Sequence, residues 1–191
     1  MNTDSPREQQ RRASWRSLQG AAMRLVDQRG FAVVTVEEIA AEAGTSRRTF
    51  FNHFPTKVAS LFDPDPDDAD RLAALLRDAD QAPRPWEALR TVCVSMVAEH
   101  ASVAAVRKRL VEASPELDQY HRTAHHHVEV ALADWARRQP SLDPFDATLY
   151  AQSAAAILIT AFATWQADHG PAALCDLVDR GFTAMSEGFA T

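Results

Sequence analysis

One stretch, from Thr35 to Lys57, restricts this chain more than any other. It reads TVEEIAAEAGTSRRTFFNHFPTK. Thr35 followed three residues later by Glu38 is a capping box, and apolar residues then recur at helical spacing. Gly44 stands where that helix should end, and either Thr45 or Ser46 after it can cap a second helix. The stretch therefore predicts two short helices joined by a tight turn.

The second predicted helix carries cations and hydroxyls at its N-terminal end. Arg47 and Arg48 fill its first turn, while Phe50 and Phe54 supply its inward side. The N-terminal end of such a helix fits the major groove of B-DNA, where its side chains meet base edges. A pair of amphipathic helices with a solvated charged end is an equally open interpretation of the pattern alone.

The residues that follow resemble the tetracycline-repressor (TetR) family of bacterial regulators. The DNA-binding segment of that family typically has Ala-Gly-x-Ser, a short recognition helix, an aromatic pair, His-Phe, a turn and Lys. The matching residues here are Ala43-Gly44-Thr45-Ser46, Phe50-Phe51, His53-Phe54 and Lys57. The second aromatic residue is usually a Tyr whose hydroxyl reaches a phosphate, so Phe51 implies that this contact is missing.

The motif and the resemblance together predict a set of DNA-contacting side chains. Arg47 and Arg48 are expected to contact bases or phosphates, with the neighbouring hydroxyls as short-range partners. Phosphates are expected to be held by Thr35, His53 and Lys57, which would fix the docking angle. The complete predicted set is Thr35, Thr45, Ser46, Arg47, Arg48, Thr49, Phe51, His53 and Lys57.

The distribution of charge agrees with a DNA contact near one end of the chain. The 191 residues have a net charge of −6, yet residues 1–60 hold nine Lys/Arg against six Asp/Glu. A basic end on an acidic body suggests a local DNA footprint. Residues 1–10 are expected to form a flexible arm whose arginines either reach DNA or belong to a solvated tail.

The composition favours helices and a cytoplasmic location. There are six glycines, and Ala, Leu, Glu and Arg are abundant. Cys93 and Cys175 stand in no metal-binding or redox spacing, so we expect reduced structural thiols. We expect neither a signal peptide nor a stretch of the ~20 apolar residues that cross a membrane. The most apolar run, residues 154–163, is interpreted as a buried helix.

The predicted fold is all-α with two domains. Residues 1–57 are predicted to form a three-helix DNA-binding domain with a helix-turn-helix, and residues 58–191 a larger helical ligand-binding and dimerisation domain. Asp63-Pro64-Asp65-Pro66 should interrupt the fourth helix, which usually runs on unbroken in the resembled family. Phe31 and Val33 are expected to pin the entry to the second helix. The core of the first domain is predicted from Trp15, Leu18, Leu25, Phe31, Val36, Ile39, Phe50 and Phe54.

The last two predicted helices, from Asp143 to His169 and from Pro171 to about Phe189, are apolar around most of their circumference. Small residues such as Ala154 also permit close helix approach. We expect a homodimer in which these helices pair with their symmetry mates in a four-helix bundle. The resemblance implies the same arrangement. The alternative is that both helices only close the core of the monomer.

Several side chains of the predicted body are either ordinary core or the lining of an apolar pocket between helices. The resemblance implies that a small-molecule inducer would bind there. The candidates are Trp86, Met96, His100, Tyr120, Trp135, Phe162 and Trp165. A weaker similarity to mycofactocin-type regulators, in residues 106–111 and 114–117, makes an acyl-CoA or another apolar compound a possible inducer.

Patterns of catalysis are weak, and no cofactor is expected. The chain has no nucleophile elbow, no Gly-rich phosphate loop and no Rossmann fingerprint. His121, His125 and Glu129 share one face of a long helix predicted from Pro115, so they could hold Zn²⁺, although a solvated polar face also explains them. Two other classes therefore stay open, a metal-dependent helical enzyme and a protein-interaction module with no DNA role.

Overall fold

The computed structural model describes residues 5–188, apart from the side chain of Ser102, and every regular element in that range is helical. The all-α prediction is therefore confirmed. The α-helices are α1 (Pro6–Arg29), α2 (Val36–Glu42), α3 (Arg47–His53), α4 (Ala59–Phe62), α5 (Asp68–Ala79), α6 (Pro85–Glu99), α7 (Ala101–Ala113), α8 (Pro115–Ala124), α9 (His126–Arg137), α10 (Pro144–Thr164) and α11 (Gly170–Glu187), with a 3-10 helix at Ala167–His169.

The chain divides into two compact units. The first runs through Pro66 and takes in a later segment, Arg109–Ala124. The second consists of Asp67–Lys108 and the chain from His125 onward. Helix α7 is thus shared between the units, and α8 belongs to the first. The predicted domain boundary at residue 57 stays a prediction.

The core of the first unit is built from aromatic and aliphatic side chains of α1, α2 and α3. Among the predicted core residues, Trp15, Leu18, Ile39, Phe50 and Phe54 are buried. Three others, Leu25, Phe31 and Val36, are only half-buried. Helical periodicity thus predicted five buried residues of this core correctly, and it missed Val34, Leu61 and Phe62, which are also buried.

The entry to α2 differs from the prediction by one residue. Val33, expected to pin this entry, is 57% exposed, whereas Val34 is 1% exposed. Residues 31–33 form a turn instead of an extended segment. The turn rotates Val33 outward, so the next residue along reaches the core.

Helix α1 begins earlier than residue 11. The Ser5 hydroxyl accepts a hydrogen bond from the backbone N–H of Glu8 at 3.3 Å, and Pro6 occupies the first helical position. Both features are typical of a helix N-terminus. Of the predicted flexible arm, residues 6–10 are therefore helical, and residues 1–4 lie outside the described residues.

Two interruptions shape the middle of the chain. Helix α4 ends at Phe62 and α5 begins at Asp68, so the predicted break at residues 63–66 is confirmed. The long helix predicted from Pro115 is wrong, because α8 and α9 are separate helices that meet at His125. The break also removes the continuous helix face on which the predicted zinc ligands were placed.

The core of the second unit lies between α5, α6, α9, α10 and α11. Trp135, Trp165 and Phe182 are among its fully buried side chains. Helix α10 ends at Thr164, five residues before the predicted end at His169. Helix α11 reaches Glu187, and Phe189 of the prediction lies outside the described residues.

Helix α10 is long and apolar enough, by length and composition, to cross a membrane, which corrects the expectation that no segment is. Core helices of soluble proteins pass the same test. One third of the apolar window is buried in the protomer. Phe145, Leu149 and Ile159 of this helix are exposed. The apolar surface of α10 therefore exceeds what the core of one protomer covers.

Helices α10 and α11 approach closely at Gly181, where substitution should destabilise the protein. A Cβ at residue 181 would lie 2.7 Å from Cγ2 of Ile157, which is buried. We expect Gly181→Ala to cost about 1–3 kcal/mol in free energy of unfolding, because the branched Ile157 side chain has little room to move. Denaturant unfolding followed by circular dichroism measures this change.

Gly20→Ala in α1 is the matched control. Its Cβ would meet only the end of the flexible Arg24 side chain, at 3.3 Å from Nη1. Alanine is the better helix former, so Gly20→Ala should stabilise the protein by about 0.5–1 kcal/mol. If both variants unfold at higher denaturant concentration than the parent, the close approach at Gly181 is refuted.

Candidate nucleic-acid interface

A complete capping box starts α2. The Thr35 hydroxyl accepts from the backbone N–H of Glu38 at 3.2 Å, and the Glu38 carboxylate accepts from the Thr35 N–H at 2.8 Å. The bond from the Thr35 N–H, the ion pair to Arg29 at 2.8 Å and a bond from the Thr35 hydroxyl to the carboxylate at 2.9 Å lower the pKa of Glu38 to about 2. The carboxylate stays ionised near neutral pH and secures the N-terminal end of α2.

The turn between α2 and α3 is tight. Gly44 has φ 67°, a left-handed conformation that glycine adopts without steric cost. The N–H groups of Gly44 and Thr45 donate to the carbonyls of Ala41 and Ala40, at 3.0 and 2.8 Å. The last carbonyls of α2 are thereby satisfied, and the chain reverses within two residues.

Helix α3 begins with a hydroxyl cap. Ser46 Oγ accepts from the backbone N–H of Thr49 at 3.1 Å and also lies 2.9 Å from the Thr49 hydroxyl. Both hydroxyls are thus held at the N-terminal end of the helix. Phe50 is fully buried behind them. The burial of Phe50 turns the opposite face of α3 toward solvent.

The two arginines of α3 have different surroundings. Arg47 pairs with Glu37 of α2 at 2.9 Å, and its guanidinium lies 5.3 Å from the ring centroid of Phe51. Arg48 is exposed, and its side chain has no hydrogen bond or ion pair among residues 5–188. Arg47 is therefore pre-positioned on the protein surface, whereas Arg48 extends from it. Glu37 was not predicted, because it lies ten residues away along the sequence and no local pattern links the two.

Phe51 and His53 occupy different depths on α3. Phe51 is 45% exposed and packs edge-on against Phe50, with ring centroids 5.4 Å apart. His53 is partly buried beside Phe54, and burial followed by the charge of Arg11 lowers the pKa of His53. A neutral imidazole near pH 7 can still donate one hydrogen bond.

Lys57 makes internal contacts. Its ammonium donates to the carbonyls of Phe31 and Val34 at 2.6 and 2.8 Å and lies 4.1 Å from the ring centroid of Phe31. Burial lowers the pKa of Lys57. Two of its three N–H bonds thus hold the loop before α2, which leaves one for a ligand.

The predicted pocket residues are divided between the two units. Trp86, Met96, Trp135, Phe162 and Trp165 belong to or pack against the hydrophobic cluster of the second unit. His100 lies in the second unit also, whereas Tyr120 lies in the first. The structure therefore brings five of the seven predicted residues into one cluster, which also fits an ordinary core.

Polar groups of this cluster are mostly satisfied. Trp86 donates to Ser186 Oγ at 2.7 Å, and Trp165 donates to the carbonyl of Gly170 at 3.0 Å. The indole N–H of Trp135 is fully buried and has no acceptor in the described part of the chain. Such a group costs about 1–3 kcal/mol unless a ligand or water accepts from it.

His100 is part of a partly buried ion cluster, in which Asp68 is the buried member. Its Nδ1 donates to the Met96 carbonyl at 2.8 Å, and its Nε2 donates to Asp68 at 3.2 Å. The hydrogen bond to Asp68 raises the pKa of His100. Burial alone would raise the pKa of Asp68, but the hydrogen bonds from His100 and Arg71 outweigh burial and lower this pKa to about 2.

A groove of about 420 Å³ opens beside Trp165, between the end of α10 and α11. It is lined by Thr164, Trp165, Gln166, His169, Ala173, Asp176, Leu177 and Arg180. Trp165 is the one predicted pocket residue among them. Within the described residues, no three His, Cys, Asp or Glu side chains come together as a metal site. His126, not His125, is the histidine that pairs with Glu129, at 3.1 Å.

Known proteins share this arrangement. Residues 20–62 match the family described as bacterial regulatory proteins, tetR family. No curated protein matches the chain. One similar solved structure is that of FadR from Thermus thermophilus, a TetR-family transcriptional repressor in complex with lauroyl-CoA. Its sequence is 25% identical to this chain, and the two folds agree with a TM-score of 0.60 over 93% of this chain and 95% of that one.

Two further solved structures are similar in fold. PfmR from Thermus thermophilus, a TetR-family transcriptional regulator, is 20% identical, with a TM-score of 0.59 over 92% of this chain and 100% of that chain. The fatty acid degradation regulator FadR from Bacillus halodurans is 15% identical, with a TM-score of 0.62 over 96% of each chain. Residues 20–62 thus carry the helix-turn-helix segment of the tetR family of bacterial regulatory proteins, and the chain has the fold of TetR-family transcription regulators.

Proposed function

We propose that this regulator is a homodimeric repressor that leaves its operator when a small molecule binds its helical body. The observation that carries the proposal is the N-terminal end of α3, where the Arg48 side chain extends without a partner in the described part of the chain, beside capped backbone. Two such helices would enter successive major grooves of a near-palindromic operator, with half-site centres ~34–36 Å apart.

The proposed DNA contacts are those predicted from the sequence. Arg48 is the base-reading side chain, and Arg47, which Glu37 and Phe51 hold in place, contacts a phosphate or a base. Phosphates are bound by Thr35, by His53 and by the third N–H of Lys57. The hydroxyls of Thr45, Ser46 and Thr49 complete the set at short range. Phe51 contacts DNA through its ring alone, because it has no hydroxyl.

Arg48→Ala should weaken operator binding and relax the sequence preference. We expect a loss of about 1–3 kcal/mol if Arg48 forms bidentate bonds with a base, and less discrimination at that base pair. Fluorescence anisotropy with duplexes from the DNA flanking the gene, and with single-base variants of the bound site, measures both effects.

The matched control is Arg138→Ala in the second unit. The Arg138 side chain is exposed and has no partner among residues 5–188, so the change in net charge is the same. Its operator affinity should equal that of the parent. If Arg48→Ala lowers affinity equally for all sequences and reduces the salt slope by ~0.9, Arg48 contacts a phosphate instead. Failure of the parent protein to bind any flanking duplex at low salt would refute the DNA-binding role.

The dimer is proposed to form through α10 and α11. Exposed residues recur at alternating four- and three-residue intervals along α10, which is the spacing of a helix-pairing stripe. They are Phe145, Leu149, Gln152, Ala156, Ile159 and Ala163. Phe145 is 72% exposed in the single chain. Aromatic side chains contribute strongly to the energetics of interfaces, so burial of Phe145 would stabilise a dimer. A second copy of the chain would cover this stripe.

Leu149→Asp and Ile159→Asp should each dissociate the dimer. The two-fold axis would place every introduced carboxylate in the interface twice, without a partner, so we expect dimerisation roughly 100-fold weaker or more. Val130→Asp on α9 is the control, because Val130 is exposed to the same extent as Ile159. Sedimentation velocity measures the assembly, and a parent protein that sediments as a monomer contradicts the proposal.

The inducer is proposed to bind among the aromatic side chains of the second unit. Its apolar part would lie against Trp86, Met96, Phe162 and Trp165, and an acceptor atom would satisfy the N–H of Trp135. His100 and Tyr120 stay candidates from the sequence. The similar FadR structure from Thermus thermophilus holds lauroyl-CoA. This supports an acyl-CoA or a similar apolar compound as the inducer class.

Lauroyl-CoA at micromolar concentration should release the operator duplex. Release requires that the ligand bind the DNA-free conformation more tightly, and a tenfold change in operator affinity corresponds to about 1.4 kcal/mol of differential binding. Free coenzyme A is the control, since it lacks the apolar chain, and should release nothing. An operator complex that ignores lauroyl-CoA excludes this ligand class without affecting the DNA-binding role.

Two broader statements complete the proposal. The chain acts in the cytoplasm, and it has no catalytic activity of its own. The family that residues 20–62 match consists of regulators, and the structure supplies no helix face on which His121, His125 and Glu129 would converge. An enzyme or a DNA-independent interaction module is therefore not favoured.

A further inference from the structure

The segment Asp63-Pro64-Asp65-Pro66 separates α4 from α5 and has no role in the functions proposed above. Proline fixes its own φ and lacks an N–H donor, so two prolines in four residues prevent the helix from continuing. Helix α4 consequently has a single turn, Ala59–Phe62. Oxygen atoms of Asp63 and Asp65 in this segment accept hydrogen bonds from side chains of α1 and α8.

Helix α1 binds one side of this segment. The Gln19 side-chain amide donates to the carbonyl of Asp63 at 3.0 Å. Arg16 donates two hydrogen bonds to the Asp65 carboxylate, from Nε at 2.7 Å and from Nη2 at 3.1 Å. Paired bonds of this kind fix orientation as well as distance. The segment is therefore pinned along the helix that supports the DNA-binding helices.

Helix α8 binds the other side. The Tyr120 hydroxyl donates to the Asp63 carboxylate at 2.8 Å. Burial, with Asp63 nearby, raises the pKa of Tyr120 to about 12, so the hydroxyl keeps its proton near neutral pH. The rings of Tyr120 and His121 lie 6.2 and 5.7 Å from the ring of Phe62, which is fully buried.

Helix α8 differs from its neighbours in the sequence by the unit to which it belongs. It belongs to the first unit together with the end of α7, yet residues 108 and 125, which flank the segment on either side, belong to the second unit. Arg109 at the start of the segment also pairs with Asp27 of α1. The segment that contains α8 is therefore connected through the chain, at both of its ends, to residues of the second unit.

We infer that the hydrogen bond between Tyr120 and Asp63 is a positioning contact that sets the spacing at which the two recognition helices of the dimer meet DNA. The inference rests on the proposed repressor function, and it names a contact through which binding of the operator is regulated. The contact ties α8 through Asp63 to Gln19 and Arg16 of α1, and α1 supports α3. Without it, α1 and the DNA-binding helices that it supports gain freedom relative to α8 within the first unit.

The test compares the two tyrosines of the chain. Tyr120→Phe removes the hydroxyl and keeps the ring against Phe62. Tyr150→Phe is the matched control, because the hydroxyl of Tyr150 has no hydrogen-bond partner within residues 5–188 and its ring packs on Trp86. Affinity is measured for the operator and for duplexes with one base pair inserted or deleted between the half-sites.

We expect Tyr120→Phe to reduce the preference for the correct spacing by about five- to tenfold, a factor within the range that a typical intramolecular hydrogen bond contributes. Tyr150→Phe should keep the parental preference. The salt dependence of binding should be unchanged in both variants, because no phosphate contact is removed. A general loss of folding would scale affinity for all duplexes alike and leave the preference intact.

A double-mutant cycle with Asp63→Ala guards against an indirect effect. If the hydrogen bond sets the spacing preference, Tyr120→Phe should cause almost no further change in that preference in the Asp63→Ala background. Additive effects, or a parental spacing preference in Tyr120→Phe, would overturn the inference while the repressor function stands. A parent protein that binds no duplex would instead refute the proposed function on which the inference rests.

Discussion

The recognition helix α3 is too short to be stable by itself, so it depends on packing against the rest of the first unit. Helix α3 has seven residues, whereas isolated helices below ~12–15 residues are marginal in water. Phe50 and Phe54 compensate by full burial, with their ring centroids 5.6 Å apart and Trp15 of α1 at 5.1 Å from Phe54. The exposed face of α3 is therefore free for polar side chains, because its buried face alone secures the helix.

Rigid support and free side chains are thus separated on α3. Ser46 and Thr49 satisfy the backbone at its N-terminal end, and Lys57 holds the loop that leads into α2. Within the described part of the chain, the Arg48 side chain makes no hydrogen bond or ion pair, so the proposed DNA contact would break none. A pre-organised backbone lowers the ordering cost of binding, and a side chain without polar contacts has none to lose, whereas its own rotamers must still be fixed.

Local chemistry explains why much of this was predictable. The capping box at Thr35, the positive φ of Gly44 and the break after Phe62 depend on residues within four positions of one another. Periodicity misplaced Val33 and missed the break at His125, because apolar spacing does not specify where the backbone turns or which segments meet. The pairing of Arg47 with Glu37 and of Tyr120 with Asp63 left no sequence signal for the same reason.

The sequence by itself determined the helical class, the helix-turn-helix and its caps, since each follows from backbone preferences within a few residues. It also revealed the resemblance of the DNA-binding segment to the tetR family, because many positions of the motif agree at fixed spacing. Only the tertiary structure decided which aromatic side chains share one cluster, that Lys57 faces two carbonyls, and that α8 joins the first unit. Those outcomes arise from competition among distant segments for a limited buried volume, and side-chain chemistry along the chain does not encode that competition position by position.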